Sequence, residues 1–324
     1  MLGRAGGVME VVHTSVLLEE TLKYLAPRKT AELMVDCTVG EGGHLNAFLS
    51  QFPELKAIAI DADPEILKIA RQRLAGFGQR VQFYSGWSHD FFAEYPGEYK
   101  RPDTILMDLG VSLFHYEKGG RGFSFRYDEK LDMRIDTSSG LSAADLIARL
   151  SEKDFADLLY ANAQERYSRR IARAVAEAKS GGALTSSAAL AEIVERAVPS
   201  VYRHGAIHPA TRTFQALRIA VNGELSRLQA LLEAAFRVLE PGGRLGVISF
   251  HSLEDRIVKN FLREKNRDCI CPPQAPICKC RGQRAVTLLT RKGIEAGEEE
   301  VRKNPPSRSA RFRAVEKILD EAGS

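Results

Sequence analysis

The segment DCTVGEGGH, Asp36–His44, joins a strand-like run to a helix-like run and decides the fold class. The residues before it, AELMVDC (Ala31–Cys37), are typical of a buried strand, and Leu45–Gln51 after it favours a short helix. Glycines in such a turn let the backbone approach a ligand closely and leave helix N-terminal N–H groups free. The segment therefore predicts a ligand-binding turn between a strand and a helix.

Two further apolar runs each end in an aspartate. Ala57–Ile60 is followed by Asp61, and Thr104–Met107 is followed by Asp108. Between them, Pro64–Leu74 has the apolar spacing and initial proline of a helix. Alternating strands and helices predict an α/β fold with a parallel sheet, in which ligands bind at the carboxyl ends of the strands. The Gly-rich turn and the two aspartates should therefore meet at one edge.

The strand pattern is interrupted from Gly119 to Ala210. Four short amphipathic helices are predicted there: Ser142–Arg149, Glu152–Tyr160, Glu165–Lys179 and Ser186–Val198. Thr211–Leu239 then predicts one long helix or two abutting ones, Leu245–Phe250 a buried strand, and Val286–Thr290 with Phe312–Val315 a hairpin. We therefore divide the chain into an α/β domain (10–118), an inserted all-helical substrate-recognition domain (119–210) and the rest of the α/β domain (211–324).

The residue types around the turn favour S-adenosylmethionine over a dinucleotide. The sequence spacing between Gly40 and Asp61 is about that expected for an acid that binds ribose hydroxyls. The dinucleotide fingerprint, however, needs glycine where Leu45 stands. Asp36 would repel a pyrophosphate but attract a sulfonium and an ammonium group. A tight turn without any ligand is the simpler alternative, and a nicotinamide-linked oxidoreductase is disfavoured by Leu45.

Composition excludes several classes of protein. The 324 residues carry 46 Lys+Arg against 42 Asp+Glu, so net charge alone does not indicate a nucleic-acid partner. No apolar run reaches the roughly 18 residues of a membrane span, no signal peptide is recognisable, and an odd count of 5 Cys favours a reducing cytoplasm. Cys269, Cys271, Cys278 and Cys280 form two C-x-C pairs that fit zinc poorly, so we expect an RNA-facing loop and no metal.

With these residues assembled, the chain resembles the bacterial MraW (RsmH) family of S-adenosylmethionine-dependent methyltransferases, which modify N4 of a cytidine in small-subunit ribosomal RNA. The resemblance runs from about Val12 to Ile318. It rests on ordered blocks: HTSVLLEE (13–20), DCTVGEGGH (36–44), AIDADP (59–64), DLGVS (108–112), RGFSF (121–125), LDMR (131–134), HPATRTFQALRIAVNGEL (208–225), PGGRLGVISFHSLEDRIVK (241–259) and NPPSRSARFRAVEKI (304–318). The family fold is a class I, Rossmann-like methyltransferase sheet with an inserted helical domain.

The resemblance also implies a cofactor site. Its predicted contacts with S-adenosylmethionine are Gly42, Gly43, His44, Asp61, Ser88, Asp108 and His115. Ser88 stands where the family usually has phenylalanine, so the aromatic residue beside the adenine is expected to be Trp87 instead. His115 stands where the family often has glutamine.

The predicted chemistry is methylation of an exocyclic amine. Asp108 is the expected acceptor at the strand end, and His251 is expected either to accept a proton or to hydrogen-bond the base. The expected partner is a decoding-centre cytidine of 16S rRNA in the small subunit, gripped by basic residues within 161–220 and 256–292. A small-subunit assembly factor with residual cofactor binding is the alternative. We expect no membrane partner, and the oligomeric state, a homodimer included, stays open.

Overall fold

The computed structural model describes residues 14–29, 32–117, 119–182, 184–205, 207–269 and 284–318. Eight strands form one sheet: β1 Leu33–Asp36, β2 Lys56–Asp61, β3 Val81–Ser85, β4 Thr104–Asp108, β5 Arg244–Ser249, β6 Val286–Leu288, β7 Ile294–Glu295 and β8 Arg311–Lys317. Their order is β3-β2-β1-β4-β5-β8-β6, with β7 paired to β8 as well. The first five strands are parallel, and β8 runs antiparallel to its neighbours. The α/β fold with a mainly parallel sheet is therefore confirmed.

Helices cover both faces of this sheet and form the inserted unit. They are α1 Leu18–Leu25, α2 Gly43–Gln51, α3 Pro64–Arg73, α4 Ser88–Ala93, α5 Leu113–Glu117, α6 Ala143–Arg149, α7 Glu152–Ala163, α8 Ser168–Ser180, α9 Ser187–Ala197, α10 Ser200–Arg203, α11 Ala210–Asn222, α12 Glu224–Val238, α13 Ser252–Lys265 and α14 Glu298–Lys303. Short 3₁₀ turns occupy Ala75–Arg80 and Pro305–Ser309. Within the described ranges, no helix is both long and apolar enough to cross a membrane.

The inserted helices begin where serine side chains cap them. Ser142, Ser151 and Ser186 each accept the backbone N–H three residues ahead, which satisfies a donor that the first helical turn leaves unpaired. The helices bury a core of their own, and this core continues into Phe214 and Leu217 of α11. The described residues of 119–222 therefore form one packed helical unit, which extends past the predicted boundary at 210.

Gly223 decides between the two alternatives for the segment after the insertion. It adopts a left-handed conformation with φ of 59° and separates α11 from α12, so the segment forms two helices. The predicted pairing of the last strands also occurs, between β6 and β8. The connection between them contains β7, α14 and a 3₁₀ turn, so it is not a simple hairpin.

Gly246 in β5 marks the tightest packing between the sheet and α1. A Cβ atom there would lie 2.6 Å from Leu25 Cδ1 and 2.9 Å from a ring carbon of Phe312. Both neighbours are completely buried, so neither has free space to move into.

We predict that Gly246→Ala destabilises the protein by about 1–3 kcal/mol, the usual cost of overpacking a core. Gly97→Ala is the matched control, because its Cβ would meet no atom within 4 Å. Urea unfolding of the two variants measures the difference. Equal midpoints for both variants would show that β5 and α1 are not packed as described.

Candidate active site

The Gly-rich turn lies at the carboxyl ends of β1, β2 and β4 and is bonded to both neighbouring strands. The N–H of Cys37 donates to the carbonyl of Leu106 at 2.9 Å, and the N–H of Val39 donates to that of Ile60 at 2.8 Å. Because α2 begins at Gly43, the unpaired N–H groups of its first turn are presented at this edge.

The two adjacent glycines of the turn, Gly42 and Gly43, have different roles. Gly42 has φ of 83°, a left-handed conformation that favours glycine, and caps the start of α2. A Cβ atom at Gly43 would overlap the hydroxyl oxygen of Ser15, so a larger residue there requires this side chain to move. Gly43 lines the cavity described below and Gly42 does not. Gly42 therefore acts through the shape of the turn.

The segment Thr14–Leu17 lies across this turn and is held by residues from the other end of the chain. The N–H of Leu17 donates to Glu300 at 2.8 Å, and the side-chain amide of Asn304 donates to the carbonyl of Thr14 at 2.9 Å. In the first turn of α2, Nε2 of His44 lies 3.0 Å from the carbonyl of Val16. Residues near both ends of the described chain thus form one rim of the site.

Asp61 binds the backbone of its own edge. Its two carboxylate oxygens accept the N–H groups of Gly40 and Asp63, each at 2.9 Å. Burial raises the pKa of Asp61 above its ordinary value, although these two N–H groups oppose the shift. Each oxygen keeps a second lone pair, which can accept a ligand hydroxyl.

His115 and Ser88 face the same edge, and each has a protein partner. Nε2 of His115 lies 2.9 Å from Asp63, which Arg121 also contacts. Burial disfavours the charge of Asp63, but hydrogen bonds from His115 and Arg121 outweigh it and lower its pKa to about 2. The other ring nitrogen of His115 is buried without a hydrogen-bond partner. The Ser88 hydroxyl donates to the carbonyl of Cys37, so it braces the turn.

Trp87, the single tryptophan of the chain, forms a side wall. The guanidinium carbon of Arg227 lies 4.1 Å from the centre of one of its rings, a cation–π contact. Arg227 also donates to the carbonyl of Asn222 at 2.9 Å and lies 3.1 Å from Nε2 of His89. Side chain and backbone partners therefore fix the guanidinium beside the indole.

The surroundings of Asp108 strongly disfavour its negative charge. Burial raises its pKa well above the ordinary value, and the negative charges of Asp36 and Glu254 add to the shift. One oxygen lies 3.4 Å from Nδ1 of His44. The other, Oδ1, is buried without a hydrogen-bond partner. A cation or an N–H donor in the cavity would satisfy this oxygen and favour the ionised form.

His251 caps the start of α13 at the end of β5. Its Nδ1 accepts the N–H of Glu254 at 3.3 Å, and the Glu254 carboxylate accepts the N–H groups of His251 at 3.3 Å and Phe250 at 2.9 Å. Nε2 lies 3.2 Å from Glu254 without the alignment of a hydrogen bond. The ring is thus oriented by a reciprocal capping box.

A buried ion pair stands next to this cap. Arg218 donates two hydrogen bonds to Glu224, at 2.9 and 3.0 Å, and a third to the hydroxyl of Tyr116 at 2.8 Å. Glu224, His251 and Glu254 bring one possible metal ligand atom each within 4.8 Å of one another. Arg218 already balances the charge of Glu224, so this cluster has less negative charge to offer a cation.

Most of these groups border one cavity of about 480 Å³ between the strand ends and the helical unit, whereas Asp63 and Arg121 lie outside its lining. The predicted site residues in its wall are Gly43, His44, Asp61, Ser88, Asp108, His115 and His251. The opposite wall is mostly apolar and comes from the helical unit, with Phe123, Phe125, Ile135 and Phe214. Of the predicted Cys loop, only Cys269 is described, as an exposed residue, and Cys271, Cys278 and Cys280 lie outside the described residues.

Sequence reasoning did not single out Asp63, Arg121, Glu224, Arg227 or Glu254. Asp63 and Arg121 lie in the blocks AIDADP and RGFSF, but 58 positions separate them, and only the fold brings them together. A charged residue inside an otherwise apolar block was the one signal that could have indicated them.

Comparison with known proteins identifies the family. Residues 10–318 match the model of the MraW methylase family. The chain belongs to this family.

Curated relatives of this MraW methylase carry one name. The protein called "Ribosomal RNA small subunit methyltransferase H" in Treponema denticola is 56% identical over 310 residues, covering 96% of this chain and 98% of its own. The protein of that name in Syntrophotalea carbinolica is 46% identical over 94% of this chain and 98% of its own. Among solved structures, the N-methyltransferase NodS of Bradyrhizobium japonicum in complex with S-adenosyl-l-homocysteine covers 93% of this chain and 86% of its own, at TM-score 0.41 and 8% identity.

Membership confirms the resemblance drawn from the sequence blocks and, with it, an S-adenosylmethionine-dependent methyltransferase. The cavity of this MraW methylase suits that cofactor, because the carboxyl groups of Asp61 and Asp108 border a space that a cationic sulfonium and ammonium would enter.

We predict that S-adenosylmethionine binds more tightly as the pH rises through about 7. Burial raises the pKa of Asp36, which is next to the cavity-lining Cys37, to about 7, with the charge of Asp61 adding to the shift, so the carboxyl group must lose a proton before its charge can attract the cation. Affinity should rise by up to about tenfold per pH unit below that value. Trp87 fluorescence gives the titration signal, over a range below about pH 7.5 because the ligand ammonium titrates near 8.

Asp36→Asn is the control and should flatten this pH profile. In the free protein, the raised folded pKa stabilises the fold fully below the unfolded value of about 4, and this contribution is lost as the pH rises through about 7. An affinity that stays constant from pH 5.5 to 7.5 would contradict the predicted coupling between Asp36 and the cofactor.

Proposed function

We propose that this protein transfers the methyl group of S-adenosylmethionine to N4 of a decoding-centre cytidine in 16S rRNA of the small ribosomal subunit. The observation that carries the proposal is Asp108: a buried carboxyl group with an unpartnered oxygen, facing a cavity between the strand ends and the helical unit. The names of the relatives supply the class of RNA. On this proposal the enzyme works in the cytoplasm, where ribosomal subunits are assembled.

The cofactor is expected along the strand ends. Asp61 offers its remaining lone pairs to the ribose hydroxyls, and Gly43 lets the chain approach the methionine portion. Trp87 stands beside the expected adenine position, with Ser88 and His115 in the same wall. Gly42 and His44 fix the shape of the turn, Gly42 through its left-handed backbone conformation and His44 through its contact with the carbonyl of Val16.

Asp108 has the chemistry that an amine acceptor requires. The lone pair of cytosine N4 is delocalised into the ring, so the nitrogen is a weak nucleophile. Methyl transfer forms the N4–C bond with that lone pair, breaks the S–C bond with its electrons left on sulfur, and releases one N4 proton. Asp108 accepts this proton as a carboxylate, the form that a cation bound in the cavity favours, and its raised pKa makes it a stronger base than an exposed aspartate.

The target base must leave its stack to reach this cavity. Enzymes that modify a nucleobase act on a single strand or turn the base out, and they hold it against aromatic and apolar side chains. Phe123, Phe125 and Phe214 provide such a wall opposite the strand ends. In-line placement of nitrogen, methyl and sulfur then supplies much of the rate.

We predict that Asp108→Asn slows single-turnover methylation of small subunits by at least roughly tenfold, the conservative end of what an acid–base group contributes. Asparagine keeps the size and one oxygen acceptor but cannot take the proton. Binding of S-adenosylmethionine, read from Trp87 fluorescence, should change far less. A variant with weakened affinity and a normal saturated rate would instead assign Asp108 to cofactor binding.

The alternative of an assembly factor makes a different prediction for the unchanged protein. It would bind small subunits and S-adenosylmethionine without transferring a labelled methyl group. Position-specific mapping of the label in 16S rRNA distinguishes the two functions, and a label outside cytosine N4 would overturn the proposed chemistry.

Basic side chains of the helical unit are the proposed RNA contacts. Arg169 and Arg170 on α8 are exposed, and neither forms a salt bridge within the described part of the chain. Arg173 on the same helix is paired with Glu177 at 3.2 Å. Arg218, which the sequence grouped with them, lies in the cavity wall and is paired with Glu224. Only the unpaired arginines are therefore assigned to phosphate binding.

We predict that replacing Arg169 and Arg170 together by alanine weakens subunit binding and reduces the slope of log affinity against log salt by about 1–2, since each arginine would neutralise about one phosphate. The matched control is Arg173→Ala with Glu177→Ala, which removes an ion pair from the same helix at no change in net charge. Binding isotherms at several salt concentrations measure both. Identical slopes for the two double variants would show that Arg169 and Arg170 only face solvent.

A further inference from the structure

The capping contact of His251 determines which of its nitrogens carries the proton. Nδ1 accepts the N–H of Glu254, so its lone pair is occupied. A neutral imidazole has a single N–H, which must then reside on Nε2. The sequence left His251 as either a proton acceptor or a hydrogen-bonding group, and the capping box leaves no free lone pair for the first role.

The Nε2–H group of His251 remains available to a ligand. The atom is buried and has no aligned acceptor, although Glu254 lies 3.2 Å away. The side chain of His251 is 11% exposed and lines the cavity. A buried N–H without an acceptor is costly, so a ligand atom that accepts from Nε2 would gain the full hydrogen bond.

Asp108 presents the complementary group from the neighbouring strand. Asp108 pairs in register with Ile248, and the N–H of Leu109 donates to the carbonyl of Ile248 at 2.9 Å. His251 follows three residues later at the end of β5. Asp108 and His251 both line the cavity, and an acceptor, Oδ1 of Asp108, and a donor, Nε2–H of His251, are buried there without hydrogen-bond partners.

Resting on the proposed function, we propose that His251 donates a hydrogen bond from Nε2 to ring N3 of the target cytosine while Asp108 accepts one from its N4 amino group. Cytosine carries the N4 donor next to the N3 acceptor, so both bonds form. Uracil carries an oxygen acceptor next to an N3–H donor, so both are reversed and two buried groups stay unpaired. His251 is thus a residue that determines base specificity.

The same bond favours release of the proton from the amino group. Donation to N3 withdraws electron density from N4, which lowers its nucleophilicity but makes its hydrogens more acidic. The proton that leaves N4 as the N4–C bond forms therefore passes more readily to Asp108.

A substitution in the protein combined with one in the substrate tests this contact. His251→Asn and His251→Asp both retain a side chain that caps a helix, so α13 should persist. Small subunits are reconstituted with 16S rRNA that carries cytidine or 3-deazacytidine at the target position, the latter with C–H in place of N3. We expect the wild-type protein to lose about 10–100-fold in kcat/KM on the deaza substrate, the equivalent of one or two buried hydrogen bonds.

On cytidine, the two variants should lose a similar factor in kcat/KM relative to the wild-type protein. Changing their substrate to 3-deazacytidine should lower kcat/KM little further, and their thermal midpoint and S-adenosylmethionine affinity should be unchanged. This loss of additivity is the supporting result, since changes in amine reactivity caused by the deaza ring affect all proteins equally. A full additional penalty in the variants would mean that another group reads N3 and overturns the inference. Variants as active as wild type on cytidine would show that His251 only caps the helix. Absence of cytidine methylation by the wild-type protein would instead refute the proposed function itself.

Discussion

Buried negative charge at one edge of the sheet is the constraint on which the site depends. Asp36, Asp61 and Asp108 end three adjacent strands, and burial raises the pKa of each. Without a cation, burial and mutual repulsion favour the protonated forms of these groups, so ionising them costs free energy. A ligand that carries a sulfonium and an ammonium group lowers this cost. The same parallel order that gives the fold its core therefore also prepares the edge for a sulfonium.

Three aspartates at this edge, Asp61, Asp63 and Asp108, differ in the groups that surround them. Asp61 accepts hydrogen bonds from backbone N–H groups, whereas hydrogen bonds from His115 and Arg121 favour the ionised form of Asp63. Asp108 lacks comparable partners, and one of its oxygens is left for the reacting ligand. Three carboxyl groups of one chemical type are thus suited to different roles, namely proposed cofactor acceptor, structural anchor and proposed base, because their surroundings differ.

The sequence indicated the parts of the site that rest on local signals. Strand periodicity, the Gly-rich turn and the aspartates after the strands were enough to predict the α/β sheet and the edge at which Asp61 and Asp108 meet. Contacts between distant segments carry no such signal: Asp63 with Arg121, Trp87 with Arg227, and the segment across the turn held by Glu300. The proton position on His251 likewise follows from a capping geometry that residue identity alone does not specify. The break between α11 and α12 required the left-handed conformation of Gly223, which the helical spacing on either side concealed.

The placement of β8 has a consequence for how the protein is made. This strand, Arg311–Lys317, lies between β5 and β6 in the sheet, and Glu300 and Asn304 shortly before it hold Thr14–Leu17 over the Gly-rich turn. During synthesis the chain emerges from its N-terminus, so β1 to β5 are complete while their last partner is still inside the ribosome. The nascent protein therefore has an open sheet edge and an unfinished rim until β8 has been translated and has emerged, and the completed cavity first exists from that point.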